Sequence, residues 1–132
     1  MQALAIFNAL LGQAGAVTAL VGARIYPVEL PEGSAFPAIA IEPGPDVPIP
    51  TIDANQAYGL RKVDVVLHLV AKTVPELAAL QSAVETACNF QRGMVATYSV
   101  VTVAAGTVGS VETDSTLGLW YVPLTFNLTY RR

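Results

Sequence analysis

Residues 73–93, TVPELAALQSAVETACNFQRG, decide how the chain is read. Thr73 is a helix cap, and Glu76 three residues later completes a capping box by reaching back to the Thr73 N–H. Pro75 sits in the first turn, where a missing N–H costs nothing. Leu77, Leu80, Val84, Ala87 and Cys88 recur at helical spacing, with Gln81, Ser82, Glu85, Thr86 and Asn89 on the other side. Arg92 suits the negative end of the helix dipole, and Gly93 can take the left-handed conformation that stops a helix. The spacing therefore predicts one amphipathic helix over 73–93, with a sheet covering its apolar stripe.

Working outward, Leu60–Ala71 reads as the strand before the helix. Val63, Val65, Leu67, Leu69 and Ala71 share one face, and Lys62, Asp64, Val66, His68 and Val70 the other. After the helix, 96–103 and 107–113 alternate as one long bent strand, with Gly106 and Gly109 marking the bend or a bulge. Asp114-Ser115-Thr116 supplies turn chemistry. The last strand has the strongest alternation: Trp120, Val122, Leu124, Phe126, Leu128 and Tyr130 against Tyr121, Pro123, Thr125, Asn127 and Thr129. Pro123 lacks a ladder donor, which predicts an edge or a bulge there.

Toward the N-terminus, Met1–Leu11 forms a helix weakened by Gly12 and Gly15, and a second short helical turn, 16–21, ends at Gly22. Arg24–Pro27 is extended, because a residue before proline is pushed out of the helical region. Seven of the nine prolines fall between Pro27 and Pro50. Within that segment Ala38–Ile41 is the one short strand, and Glu42–Gly59 reads as a long irregular loop or a loose hairpin arm. A connection of that length is either functional and ordered by a partner or a surface excursion. The expected fold is α+β: a mostly antiparallel sheet packed against helices on one face, with a proline-rich arm at 42–59, all in one domain spanning 1–132.

Composition narrows the function. The chain is 53% hydrophobic and 13% charged, against about 25% charged for an ordinary soluble domain. So little polar surface implies that further apolar area is buried against other subunits. A net charge of −3 and scattered basic residues exclude a nucleic-acid grip. The apolar N-terminus lacks the basic start of a signal peptide, and Asn8, Gln13 and Thr18 break it as a membrane span. Cytoplasmic synthesis and folding are expected.

Motifs for catalysis are missing. The one histidine, His68, lies on the polar face of a strand, and no His/Cys/Asp/Glu spacing fits a metal. Cys88 falls on the helix stripe as a small buried hydrophobe. Gly106-Thr107-Val108-Gly109-Ser110 looks like a phosphate loop but no helix follows it. No catalytic residue, cofactor or metal is expected, and the chain reads as an assembly protein rather than an enzyme. A second reading is a small ligand-binding α+β module with a site near His68.

Ala16-Val17-Thr18-Ala19-Leu20-Val21-Gly22-Ala23-Arg24-Ile25-Tyr26-Pro27, followed by Leu30-Pro31-Glu32-Gly33 and Phe36-Pro37-Ala38-Ile39, resembles the opening of the tail-completion proteins of long-tailed phages, also called tail terminators or tail-to-head joining proteins. Arg61-Lys62-Val63-Asp64-Val65, the helix from Pro75 to Arg92 and a closing strand ending in Tyr130 follow the same plan. The arm, with Pro43, Pro45, Pro48 and Pro50, departs from the family pattern, so no contacts are carried over to it.

The resemblance implies a virion protein at the head–tail junction, assembled in the host cytoplasm. It would form a hexameric homo-oligomeric ring that caps the tail tube, stops its polymerisation and joins it to the head connector. Its partners would be the tube protein and the connector or stopper, with DNA passing through unbound and no membrane involved. Another neck, head-completion or minor tail protein of the same fold is the nearest alternative. Interface residues are expected at Asp46, Ile49, Ile52, Asp53 and Tyr58 on the arm, at Arg61 beyond it, and at Tyr121.

Overall fold

The computed structural model describes residues 2–28, 30, 35–48, 60–96 and 98–131, with the backbone alone at 105–107. Its elements in chain order are α1 (Gln2–Gln13), α2 (Gly15–Val21), β1 (Ile25–Pro27), β2 (Ala38–Pro48), β3 (Leu60–Ala71), α3 (Val74–Cys88), β4 (Gly93–Val95), β5 (Tyr98–Val108), β6 (Glu112–Asp114) and β7 (Leu119–Arg131). The strands form one sheet in the order β1-β2-β3-β7-β5-β4, with β6 also on β7. Only β1–β2 is parallel; the other pairs are antiparallel. The helices pack on one face of this sheet, giving the α+β architecture that the alternation predicts.

The core lies between the helices and that face. Ile6, Phe7 and Leu11 of α1 and Leu77, Leu80, Val84 and Cys88 of α3 are buried with Val63–Leu69 of β3 and Val122–Tyr130 of β7, alternate residues in each strand. Phe7 packs against Phe126 with ring centroids 5.8 Å apart. Tyr98 meets Tyr130 edge-on at 5.9 Å. No single helix is long and apolar enough to cross a membrane; α1 and α2 together reach that length but are bent by 90° between them.

The helix that organised the sequence reading begins as expected. Thr73 is extended and its hydroxyl accepts from the Glu76 N–H at 3.3 Å. The return bond from Glu76 is not formed, and the helix ends at Cys88, one turn short of Gly93. The Phe90 N–H donates to the Val103 carbonyl at 2.7 Å, and the Val103 N–H to Gln91 at 3.2 Å. These bonds draw the chain toward the sheet. Phe90, at φ 58, rather than Gly93, turns the chain out of the helix, and Gly93 instead opens β4 at φ 103.

Two strand expectations also change. Residues 42–48 are not irregular: β2 continues through Pro48 along β3, with a bulge between Pro43 and Asp46. Beyond Ile41 this strand has no β1 on its outer side, so prolines there lose no ladder partner. The remainder of the arm, 49–59, lies outside the described residues, as do Pro31–Gly33 of the opening motif. The long bent strand after the helix is two strands, β5 and β6, interrupted at 109–111.

The last strand lies inside the sheet, but at Pro123 itself it is an edge on one side, as the missing donor predicts. β3 runs along one side of it, and β5 then β6 along the other. The Gly109 N–H donates to the Pro123 carbonyl at 2.8 Å. A strand residue directs its N and C=O to the same side, so the missing N–H of Pro123 faces the gap between β5 and β6, where no strand needs it. Gly109 permits this approach, because a Cβ there would stand 2.4 Å from Pro123 Cγ.

Candidate functional site

Asp46 and Arg61 meet at the end of the sheet from which segment 49–59 departs. The bulge decides this. Pro43 opposes Val65 but Asp46 opposes Val63, one residue earlier than regular pairing would allow. The extra residue turns Asp46 to the helix-covered face, shared with Val63, Arg61 and Tyr130. Gly44 makes room for it, since a Cβ there would lie 2.7 Å from the Asp64 carbonyl oxygen.

Arg61 Nε donates to Asp46 Oδ1 at 2.7 Å, and its Nη2 reaches the Asp46 backbone oxygen at 3.4 Å. The Tyr130 hydroxyl donates to the other carboxylate oxygen, Oδ2, and lies 3.5 Å from Gln2 Oε1 at the start of α1. A phenol has one hydrogen, and Asp46 is the nearer acceptor. The bond to Asp46 raises the Arg61 pKa. Burial pushes the Tyr130 phenol up, reinforced by the hydrogen bond to Asp46 and its charge. The carboxylate thus bridges β2, β3 and β7 at the arm's root.

Of the other expected interface residues, Ile49, Ile52, Asp53 and Tyr58 lie outside the described residues. Tyr121 is half-buried at the opposite end of β7, roughly 30 Å from Tyr130 along the strand. It stands across from Glu112, and its phenol is pushed up by burial and then by that carboxylate. The structure therefore joins Asp46 to Arg61 and leaves Tyr121 apart. Tyr130 was readable only as a core residue. The available signal was that a buried tyrosine usually finds a partner for its hydroxyl.

His68 sits on the sheet face away from the helices, its Nε2 2.7 Å from Glu42 Oε2. Among the described residues no three His, Cys, Asp or Glu side chains converge. A groove of about 130 Å³ between α1 and β1 is lined by Leu4, Asn8, Ile25, Tyr26, Pro27 and Ile41, with no charged group. Cys88 is buried, and desolvation pushes its thiol up to about 12. None of these places gathers the groups a reaction needs.

The opening motif has a clear structural part. Val17 and Val21 are buried, and Gly22 turns the chain at φ 59 with its N–H on the Thr18 carbonyl at 2.8 Å. Arg24 then ties three elements together: Nε donates to the Pro37 carbonyl at 2.9 Å and Nη2 to the Leu20 carbonyl at 3.2 Å. Ile25 pairs with Ile39 beside it. The arginine holds the end of α2 and β1 against the start of β2.

Comparison with known proteins matches this arrangement. A chain of the virion of native gene transfer agent (GTA) particle has the same fold, with a TM-score of 0.74 and 17% identity, over 98% of this chain and 94% of that one. A search of curated proteins finds no match. The family model for Tail completion protein gp17 matches residues 5–128, which takes in α2, the Arg24 motif, the arm root and nearly all of β7. This chain belongs to the tail completion protein gp17 family and is a structural component of a phage-type virion.

Proposed function

We propose that the protein is the tail terminator at the head–tail junction. Copies form a ring, six in number as the family resemblance implies, on the end of the finished tail tube. The ring stops further polymerisation and presents its other surface to the head connector or stopper. DNA passes through without specific binding, and the chain performs no catalysis. The family match across 5–128 carries this reading. The low charge content supports it, because a ring subunit buries two lateral surfaces.

Within this function the segment 49–59 contacts a neighbouring subunit or the tube, with Ile49, Ile52, Asp53 and Tyr58 as its contact residues. Pro50 stiffens it and reduces the entropy lost on docking. Asp46 and Arg61 set the direction in which it leaves the sheet. Tyr121 serves a separate contact at the far end of β7.

Electron microscopy of particles from the parent system with this gene deleted tests the proposal. Tails of uncontrolled length unattached to filled heads are expected. Tails of normal length beside unjoined heads would move the protein to a joining or head-completion role. Normal intact particles would end the reading.

A further inference from the structure

The two lateral edges of the sheet carry matched features. At one edge, Phe90 is 76% and Met94 71% exposed, with the exposed Arg92 between them. Phe90 holds φ 58, a conformation a bulky residue rarely adopts, and it keeps the ring in solvent. At the other edge a groove of about 260 Å³ is lined by Pro45, Val47, Lys62, Val63 and Asp64. Val47 is 54% exposed there. Among the described residues neither Arg92 nor Asp64 makes an ion pair.

The register puts both features near the same end of the sheet, with Arg92 and Met94 flanking Gly93 and Val47 next to Pro48. Gly93 pairs with Val100, Val100 with Tyr130, Tyr130 with Arg61, and Arg61 with Pro48. Four strand spacings, roughly 19 Å, separate the edges, so they cannot meet within one copy. A head-to-tail contact between these two edges generates a ring where the rotation between copies closes.

We propose that the Phe90–Met94 edge of one copy seats in the β2–β3 groove of the next, with Arg92 on Asp64 and the two apolar side chains over Pro45 and Val47. This rests on the ring reading above and names its lateral contact. Opposite charge and exposed apolar area on both sides select a second copy of this chain as the occupant. Lys62 shares the groove and repels Arg92, so among the described lining residues Asp64 is the acid that attracts it.

Two experiments decide it. Particles carrying Val47→Cys with Met94→Cys are oxidised and run without reductant. A ladder of this chain from dimer upward is expected, while either single variant stays monomeric. Cys88, buried, does not contribute. A folded double variant that enters particles and stays monomeric overturns the contact. In the second experiment Asp64→Lys should reduce completed particles at least tenfold, and adding Arg92→Glu should restore them. Full assembly by Asp64→Lys, or failure of rescue with native circular dichroism, overturns the charge pair. A ladder from particles whose tails are unaffected by gene deletion would leave this contact standing and remove the terminator reading.

Discussion

Arg61 and Asp46, on neighbouring strands that bracket segment 49–59, are joined by a 2.7 Å ion pair whose side chains keep only 22% and 27% of their exposure. The segment therefore leaves from a fixed root. Because Tyr130 also donates to Asp46, the root is tied to the central strand of the sheet.

Tyr130→Phe keeps the packing against Tyr98 and removes one bond to a carboxylate. We expect a loss of about 1.5–3 kcal/mol in urea unfolding at neutral pH, the range for hydrogen bonds to charged groups.

The same residue governs alkaline stability. The folded-state pKa of Tyr130 lies above its ordinary value, so its stabilisation is whole below about pH 10 and is lost as pH rises through the folded pKa. Above about pH 10 the unfolded chain has released this proton and the folded one has not. Wild type should then lose stability faster than Tyr130→Phe, by up to about 1.4 kcal/mol per pH unit. Parallel slopes from urea titrations at several alkaline pH values would contradict this.

Gly109→Ala places a Cβ 2.4 Å from Pro123 Cγ. The backbone must shift to relieve it, at a cost of about 1–3 kcal/mol. Thermal unfolding should show a clearly lower midpoint, whereas alanine at Gly12, with nothing within 4 Å, should not lower it.

Arg24→Met preserves the stem and removes the bonds to Pro37 and Leu20. A loss of about 1–3 kcal/mol is expected, with hydrogen exchange rising first at the β1–β2 pairing. Uniform exchange across the sheet would argue that Arg24 does not act locally.

Deleting 49–59 and closing the gap with a short glycine turn should leave the fold intact, since β2 and β3 are already paired up to Pro48 and Arg61. The variant should remain a folded monomer and fail to complete tails. Normal completion would remove this segment from the interface.

Much of this was legible in local sequence. Thr73 and Glu76 placed the start of α3, the period of Leu77, Leu80 and Val84 its buried face, and strict alternation the inner faces of β3 and β7. These signals act within a few residues, where capping, sterics and side-chain direction are decided by neighbours along the chain. The tail-completion resemblance also rested on such contiguous runs, chiefly Ala16 to Pro27, with Leu30–Gly33 and Phe36–Ile39 after it.

Tertiary structure alone decided the remainder. The end of α3 at Cys88 depends on bonds to Val103, and the extension of β2 to Pro48 depends on β3 accepting a strand whose prolines face outward. Pro123 is tolerated in a central strand because Gly109 and the gap before β6 lie opposite it. Asp46, Arg61 and Tyr130 are distant in sequence, and a one-residue bulge turns the carboxylate toward the other two. Pairing partners and bulges are chosen by the sheet as a whole, so no single stretch of the chain contains them.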